Sequence, residues 1–212
     1  MKDYFLDTTY HTQRNNGVLP YVSCGTTCLA SYLSWLNKRF GKNYVCDDDK
    51  VLEALNSEGM LITAENMIKR GVIDKSALNY RSDNPKTPVD ESKFTHLNNF
   101  MEMLAECGNY LTNYEFLFSI EYKIPCDIQT VIDSKYPAII SAKFTPGGHF
   151  VLVVGYDLDN NFIVDDPYGN WNKSYQADES GAKVKYPIDK VIEVCTYKKN
   201  KAMRILRARL NI

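Results

Sequence analysis

The 212-residue chain has 44% hydrophobic and 24% charged residues and a formal net charge of −1. These values are typical of one globular domain, and the even spread of basic residues disfavours a nucleic-acid partner. No stretch reaches membrane-spanning length and the first ten residues lack a signal-peptide core, so membrane insertion is not expected and the chain as encoded is expected in the cytoplasm. The sequence does not specify an oligomeric state.

The first half of the chain is predicted to be helical. Apolar residues recur at helical spacing over residues 24–40, and shorter helices are predicted over residues 47–58 and 63–70. Each is followed directly by a glycine, which favours helix termination. Residues 79–93 combine two prolines with polar turn formers and are predicted to form a surface loop. A further helix is predicted over residues 97–107, again followed by glycine.

The second half changes to β-branched and aromatic runs. Strands are predicted over residues 138–144, 150–156 and 162–164, with a hairpin turn at the sequence LDNN between the last two. Such closely spaced strands favour an antiparallel sheet. The aromatic-rich residues 114–122 fit a strand or a helix equally.

These patterns predict an α+β fold in a single domain over residues 1–212. We expect a helical subdomain over about residues 1–125 and a sheet subdomain over about residues 126–212. The basic segment at residues 198–210 alternates apolar and charged positions, which favours a solvated face on an exposed strand or on the end of an amphipathic helix.

Cys24 is the candidate nucleophile because it begins the long predicted helix. Unpaired N–H groups and the positive end of the helix dipole favour a thiolate at that position. Cys28 lies one turn further along, where its thiol should face the core and be structural. Taken alone, either cysteine also fits a small buried hydrophobic residue.

His149 and Asp166 are the candidate general base and the carboxylate that orients it. His149 follows two glycines and opens a predicted strand, whereas Asp166 ends the next strand, 17 residues later. Neighbouring antiparallel strands can bring the two side chains together, and the carboxylate would then select the histidine tautomer. We prefer Asp166 to Asp165. A structural histidine is the alternative interpretation.

Gln13 is the candidate oxyanion donor, in a loop eleven residues before Cys24. Its amide could act with the backbone N–H of Cys24 to stabilise the negative oxygen that forms when a thiolate attacks a carbonyl. Considered by itself, a loop glutamine is more often solvated.

Together these segments resemble the papain-like cysteine peptidases, in the branch that includes bacteriocin double-glycine leader peptidases. The matching motifs are QRN from Gln13, CGTTCLASYL from Cys24, GGHFVLVVGYD around His149 and DPYG from Asp166. The resemblance implies a nucleophile helix packed on a C-terminal antiparallel sheet. It also implies a triad of Cys24, His149 and Asp166 supported by Gln13, which would hydrolyse a peptide or isopeptide bond through an acyl-enzyme.

The end of the chain, from Asp166, is similar to stand-alone bacterial or phage-encoded members, whereas residues 41–125 match no familiar pattern. This similarity implies a peptide substrate, either a peptidoglycan peptide of the cell wall or a protein leader, with export or phage release as alternatives to a cytoplasmic location. Two other functions remain open. One is a catalytically weak binding or inhibitory module, and the other is acyl transfer of the phytochelatin-synthase type.

No metal ion and no cofactor are predicted. Six cysteines form neither a CxxC pair nor a dense framework, which disfavours a structural zinc site. His11 and His96 show no ligand spacing with Cys46 or Cys107 and are interpreted as surface residues. The sequence DLDNN lacks the glycine and glutamate of a calcium loop.

Overall fold

A computed structural model describes residues 4–78, 97–195 and 202–211 of the chain. Helices and an antiparallel sheet are both present, which confirms the predicted α+β class. The helices are α1 (Cys24–Phe40), α2 (Asp48–Leu55), α3 (Glu58–Lys69), α4 (Met101–Leu111), α5 (Pro125–Asp133) and α6 (Ile188–Val194). The strands are β1 (Tyr4–Phe5), β2 (Phe116–Lys123), β3 (Ala138–Ala142), β4 (His149–Tyr156), β5 (Asn161–Asp165), β6 (Val184–Pro187) and β7 (Met203–Leu210).

The strands form one sheet in the order β2-β7-β3-β4-β5-β6, and β1 pairs with the far end of β4. Strands β4 and β5 form the predicted hairpin. The carboxylate of Asp157 accepts hydrogen bonds from the N–H groups of Asp159 and Asn161, while Asn160 takes a left-handed conformation. This side-chain turn explains the DLDNN sequence without a calcium ion.

Helix α1 has the predicted bounds and packs against β4. Its first thirteen residues, Cys24 to Leu36, are all buried, so the helix start lies inside the molecule. The helix ends at Gly41, whose φ of 65° is the left-handed conformation that glycine adopts at no steric cost. In the middle of the helix, the Tyr32 hydroxyl accepts a hydrogen bond from the N–H of Ala208 in β7.

Two predicted helix stops are wrong. Helix α2 ends at Leu55, and Gly59 lies in the first turn of α3. Helix α4 runs past Gly108, where a methyl group would lie 2.7 Å from the ring of Phe118. Glycine at position 108 therefore permits close packing of β2 on the helix and does not end it. The predicted stop at Gly71 agrees with the end of α3 at Lys69.

The prediction of an exposed C-terminal segment is also wrong. Strand β7 lies between β2 and β3, and Ile205 and Leu206 are fully buried. Ile205 and Leu206 are consecutive in the strand and point to opposite faces of the sheet, so apolar side chains of β7 are buried on both faces. Arg207 donates a hydrogen bond to Glu121 of β2. Burial on both faces and this charged pair together explain why a basic strand is stable inside the sheet.

The open assignment of residues 114–122 resolves as a strand, because β2 pairs with β7 over eight residues. Strand β2 therefore lies before residue 125 and still belongs to the sheet. The single domain and its two subdomains stay a prediction. The loop predicted at residues 79–93 and the side chain of His96 lie outside the described residues.

Candidate active site

The start of α1 presents Cys24 to a cleft, and only 9% of this residue is exposed. Its thiol lies beside the ring of His149, close enough to raise the pKa of that histidine. The next residue, Gly25, allows the loop before α4 to press on the helix start, since a Cβ there would lie 2.6 Å from the carbonyl oxygen of Asn98. The loop before α4 thereby packs against the first turn of α1, and the positive end of the helix dipole lies at this turn, where Cys24 is the first helical residue.

His149 is the first residue of β4 and lies opposite Ala142 of β3. The preceding Gly148 has a φ of 85°, and its carbonyl oxygen accepts a hydrogen bond from the Thr145 hydroxyl. This turn fixes the ring at the end of the sheet. Nε2 of His149 lies 2.7 Å from Oδ1 of Asp166, which leaves Nδ1 for the Cys24 thiol.

The charge of His149 is set by its two partners. Burial of the ring opposes the charged form, but the negative charges and hydrogen bonds of Asp166 and Cys24 outweigh it and raise the pKa of His149 to about 10. The ring therefore favours the imidazolium form at neutral pH. A thiolate beside an imidazolium is a reactive state of cysteine.

Asp166 is fully buried directly after β5, and both of its carboxylate oxygens accept hydrogen bonds. Oδ1 accepts from His149 and from the N–H of Tyr168 at 2.9 Å. Oδ2 accepts from the hydroxyls of Tyr186 at 2.7 Å and Tyr175 at 3.5 Å. Neither tyrosine could be predicted from the sequence, since they follow Asp166 by 20 and 9 residues and no local pattern marks them.

Asp165 is directed away from His149, because successive side chains of a strand point to opposite faces. Its carboxylate accepts hydrogen bonds from the Thr8 hydroxyl and from the N–H of Lys183. Burial raises the pKa of Asp165, despite these donors. The strand register thus distinguishes the two neighbouring aspartates.

Gln13 lies in a short 3-10 turn, and its side chain is buried beside the same cleft. Its Nε2 donates to the carbonyl oxygen of Pro20 at 3.0 Å, and its backbone N–H donates to the carbonyl oxygen of Pro167 at 2.9 Å. An amide nitrogen carries two hydrogens, so one remains for a ligand. The structure thus brings together Gln13, Cys24, His149 and Asp166.

The cleft above these residues has a volume of about 410 Å3. Apart from Cys24 and His149, its described lining carries neutral side chains only. Besides Gln13, Cys24 and His149, it is lined by Tyr21, Val22, Asn99, Thr145, Gly147, Gly148 and Tyr168. Such a surface suits a neutral ligand better than a strongly charged one.

Cys28 lies one helical turn beyond Cys24 and is fully buried. Burial, with a smaller contribution from the charge of Cys24, raises the pKa of the Cys28 thiol well above its ordinary value. Cys28 therefore stays a neutral thiol in the core, as expected from its position on α1.

Two further properties concern the described residues only. No group of three or more His, Cys, Asp or Glu side chains among them has the arrangement of a metal site. The helices within these same residues are all too short or too polar to span a bilayer.

Comparison with known proteins agrees with this architecture. A crystal structure of a candidate C39-like peptidase from Bacillus anthracis superposes with a TM-score of 0.57 and 14% sequence identity, and the match covers 100% of both chains. At this identity the likeness concerns the fold, which is the papain-like α+β arrangement. None of the curated proteins matches the sequence significantly. The sequence model of the Peptidase C39 like family matches residues 5–188, and the chain belongs to this family.

Proposed function

We propose that this protein is a cysteine peptidase or amidase that hydrolyses a peptide or isopeptide bond with Cys24 as nucleophile. The single observation that carries the proposal is the buried His149 ring, which contacts Cys24 on one side and Asp166 on the other at the base of a cleft. Membership of a peptidase family supports the same reaction class. Nucleophile, base and orienting acid in this order are the arrangement that acyl transfer needs.

In the first half of the reaction, the Cys24 thiolate attacks the substrate carbonyl carbon. The carbonyl oxygen becomes negative and accepts hydrogen bonds from the Gln13 amide and from the backbone N–H of Cys24. The His149 imidazolium then gives its proton to the leaving amine as the carbon–nitrogen bond breaks. The products are a free amine, a thioester on Cys24 and a neutral imidazole.

In the second half, water replaces the amine. His149 accepts a proton from the water as its oxygen attacks the thioester carbon, and the carbon–sulfur bond breaks to release a carboxylic acid. The thiolate and the imidazolium are thereby restored. In both halves the bond between Asp166 and Nε2 keeps Nδ1 directed at Cys24.

The proposed substrate is a peptide, either a peptidoglycan peptide or a protein leader. Apart from Cys24 and His149, the described lining of the cleft is neutral, which supports a substrate segment without charged side chains next to the scissile bond. A substrate charge buried there without a partner would cost on the order of several kcal/mol.

The test is alkylation by iodoacetamide together with peptide hydrolysis, in the wild type, Cys24→Ala and Cys126→Ala. Cys126 is an exposed thiol outside the cleft and provides the matched control. At pH 6, peptide mapping should find Cys24 alkylated much faster than Cys126, because only Cys24 has an imidazolium partner. Hydrolysis should be lost in Cys24→Ala and kept in Cys126→Ala. Equal labelling of the two thiols, or hydrolysis that survives in Cys24→Ala, would refute the proposal.

Product analysis decides between the remaining alternatives. Mass spectrometry with and without an added amine acceptor detects acyl transfer, since only transfer gives an acceptor-linked product. Stoichiometric binding of peptide without turnover by the wild type would instead indicate a binding module.

A further inference from the structure

The outer oxygen of the Asp166 carboxylate is held by tyrosine hydroxyls. Tyr186 is fully buried in β6, and its hydroxyl lies 2.7 Å from Oδ2. The same hydroxyl accepts the N–H of Trp171 at 2.9 Å, so one of its lone pairs is occupied and its single proton remains for donation. The carbonyl oxygen of Gly169 lies further away, at 3.4 Å, so the proton points to Asp166. Tyr175 adds a longer bond of 3.5 Å to the same oxygen.

Both tyrosines are donors across the working pH range. Burial raises the pKa of Tyr186 and of Tyr175, and the negative charge of Asp166 raises both further. Both phenols keep their protons, and the ionised carboxylate has none to donate. The contact therefore acts in one direction, from hydroxyl to carboxylate.

A donor on one carboxylate oxygen changes what the other oxygen does. Hydrogen bonds to a carboxylate stabilise its negative charge and make it a weaker base. The opposite oxygen of Asp166 holds Nε2 of His149. Donation from Tyr186 thus weakens the attraction between Asp166 and the His149 proton. Without that donation, the imidazolium would be held more tightly.

We propose that Tyr186, assisted by Tyr175, is a positioning residue that moderates the basicity of Asp166, so that His149 can release its proton to the leaving amine. This inference rests on the proposed function of the site. An imidazolium that is held too tightly is a poor acid, and efficient acid catalysis needs a proton affinity near the working pH. The tyrosine hydroxyls oppose the large stabilisation that Asp166 gives to the charged ring.

Other ionisable groups near the pair must be kept constant in a test. They come from every element that packs against the site, namely Cys24 and Cys28 on α1, Tyr10 and Arg14 in the N-terminal segment, Asp165 on β5, and Tyr168 before the 3-10 turn at residues 171–173. A Tyr186→Phe variant leaves all of these in place and removes one oxygen atom.

The measurement compares two alkylating reagents on Cys24 as a function of pH, with the Cys24 peptide quantified by mass spectrometry. Iodoacetate is an anion and is attracted by the imidazolium, whereas iodoacetamide is neutral. The ratio of their rates therefore falls as His149 loses its proton, and the midpoint of that fall reports the proton affinity of the ring. In Tyr186→Phe we expect the midpoint to rise by about half a pH unit. Tyr156→Phe, which removes a hydroxyl bonded to Asp133 away from the site, should leave the midpoint unchanged.

The direction of the shift is diagnostic. A merely structural role would loosen the contact between Asp166 and His149, and the midpoint would then fall; a fall or no change overturns the proposal. If Tyr186→Phe does not fold, 3-fluorotyrosine can be incorporated at position 186. This residue keeps the hydroxyl and donates a stronger hydrogen bond, so the midpoint should fall. An unchanged or higher midpoint overturns the proposal. A wild-type ratio that is flat with pH instead contradicts the proposed function itself, because no imidazolium then accompanies the thiolate.

Discussion

Replacement of Asp166 by asparagine removes the carboxylate charge and keeps the shape of the side chain. The pKa of His149 lies at about 10, compared with 6.5 for an unperturbed histidine, and Asp166 is the stronger of the two charges that raise it. Each pH unit corresponds to about 1.4 kcal/mol of interaction, so loss of this charge should lower the proton affinity of the ring by one pH unit or more, about 1.4 kcal/mol at least. The imidazolium of Asp166→Asn would then lose its proton at a pH at least one unit lower than that of the wild type.

The matched control is Asp165→Asn, which makes the same chemical change at a buried neighbouring carboxylate without a contact to His149. The assay is the ratio of iodoacetate to iodoacetamide alkylation at Cys24, with peptide hydrolysis measured at pH 8. Asp166→Asn should move the midpoint to lower pH and reduce hydrolysis about tenfold or more. Asp165→Asn should leave the midpoint in place. The reasoning is refuted if the two variants behave alike, or if Asp165→Asn gives the larger shift.

The pair of His149 and Asp166 also affects the free energy of unfolding, because the raised pKa of His149 links protonation to folding. A folded-state pKa above the unfolded value stabilises the fold fully below pH 6.5, and this contribution is lost as the pH rises towards about 10. Asp166→Asn removes the part that comes from the carboxylate. The difference in the free energy of unfolding between the wild type and Asp166→Asn, from urea titrations, should therefore narrow between pH 6.5 and 10. A difference that is constant with pH would contradict the assigned ion pair.

Four other substitutions test the site and the core. Gln13→Ala should reduce hydrolysis about tenfold or more while leaving Cys24 alkylation unchanged, since an oxyanion donor acts only on the substrate; slower alkylation would assign Gln13 to the thiolate instead. Gly108→Ala should destabilise the fold by about 1–3 kcal/mol, because the new methyl group would lie 2.7 Å from the ring of Phe118. Gly59→Ala, where the added methyl group meets open space, should instead stabilise α3 by about 0.5–1 kcal/mol. Thermal unfolding measures both changes. Tyr32→Phe should cost about 1–3 kcal/mol, as it leaves a buried N–H of β7 unpaired, and a neutral result would mean that water replaces the hydroxyl.

The parts of the fold that sequence predicts well depend on short-range information. The bounds of α1 follow from apolar spacing and from a glycine with left-handed geometry, both of which are local. The juxtaposition of His149 and Asp166 follows from a hairpin whose turn is written in the chain. The choice of Asp166 over Asp165 could also be predicted, because the side chains of neighbouring residues along β5 point to opposite faces.

The wrong predictions concern residues whose roles depend on distant partners. Glycine can end a helix or admit a close neighbour, and at position 108 only the ring of Phe118 decides between these uses. A basic alternating strand can be exposed or buried, and for β7 the decision depends on Glu121, 86 residues before Arg207 in the chain. A short stretch of sequence does not contain these distant partners, since a buried and an exposed strand share the same alternating pattern.

Hydrogen bonds of the N-terminal segment connect candidate site residues that come from separate parts of the chain. The Tyr10 hydroxyl donates to the carbonyl oxygen of Asp166, and the N–H of Gln13 donates to that of Pro167. The segment that carries Gln13, the proposed oxyanion donor, is therefore bonded to the backbone beside Asp166, the proposed orienting acid. A displacement of one would move the other, and electrostatic catalysis depends on donors that need no rearrangement during the reaction. These two hydrogen bonds hold Gln13, the proposed oxyanion donor, near the backbone of Asp166 before any substrate binds, which is the property that the proposed peptidase site requires.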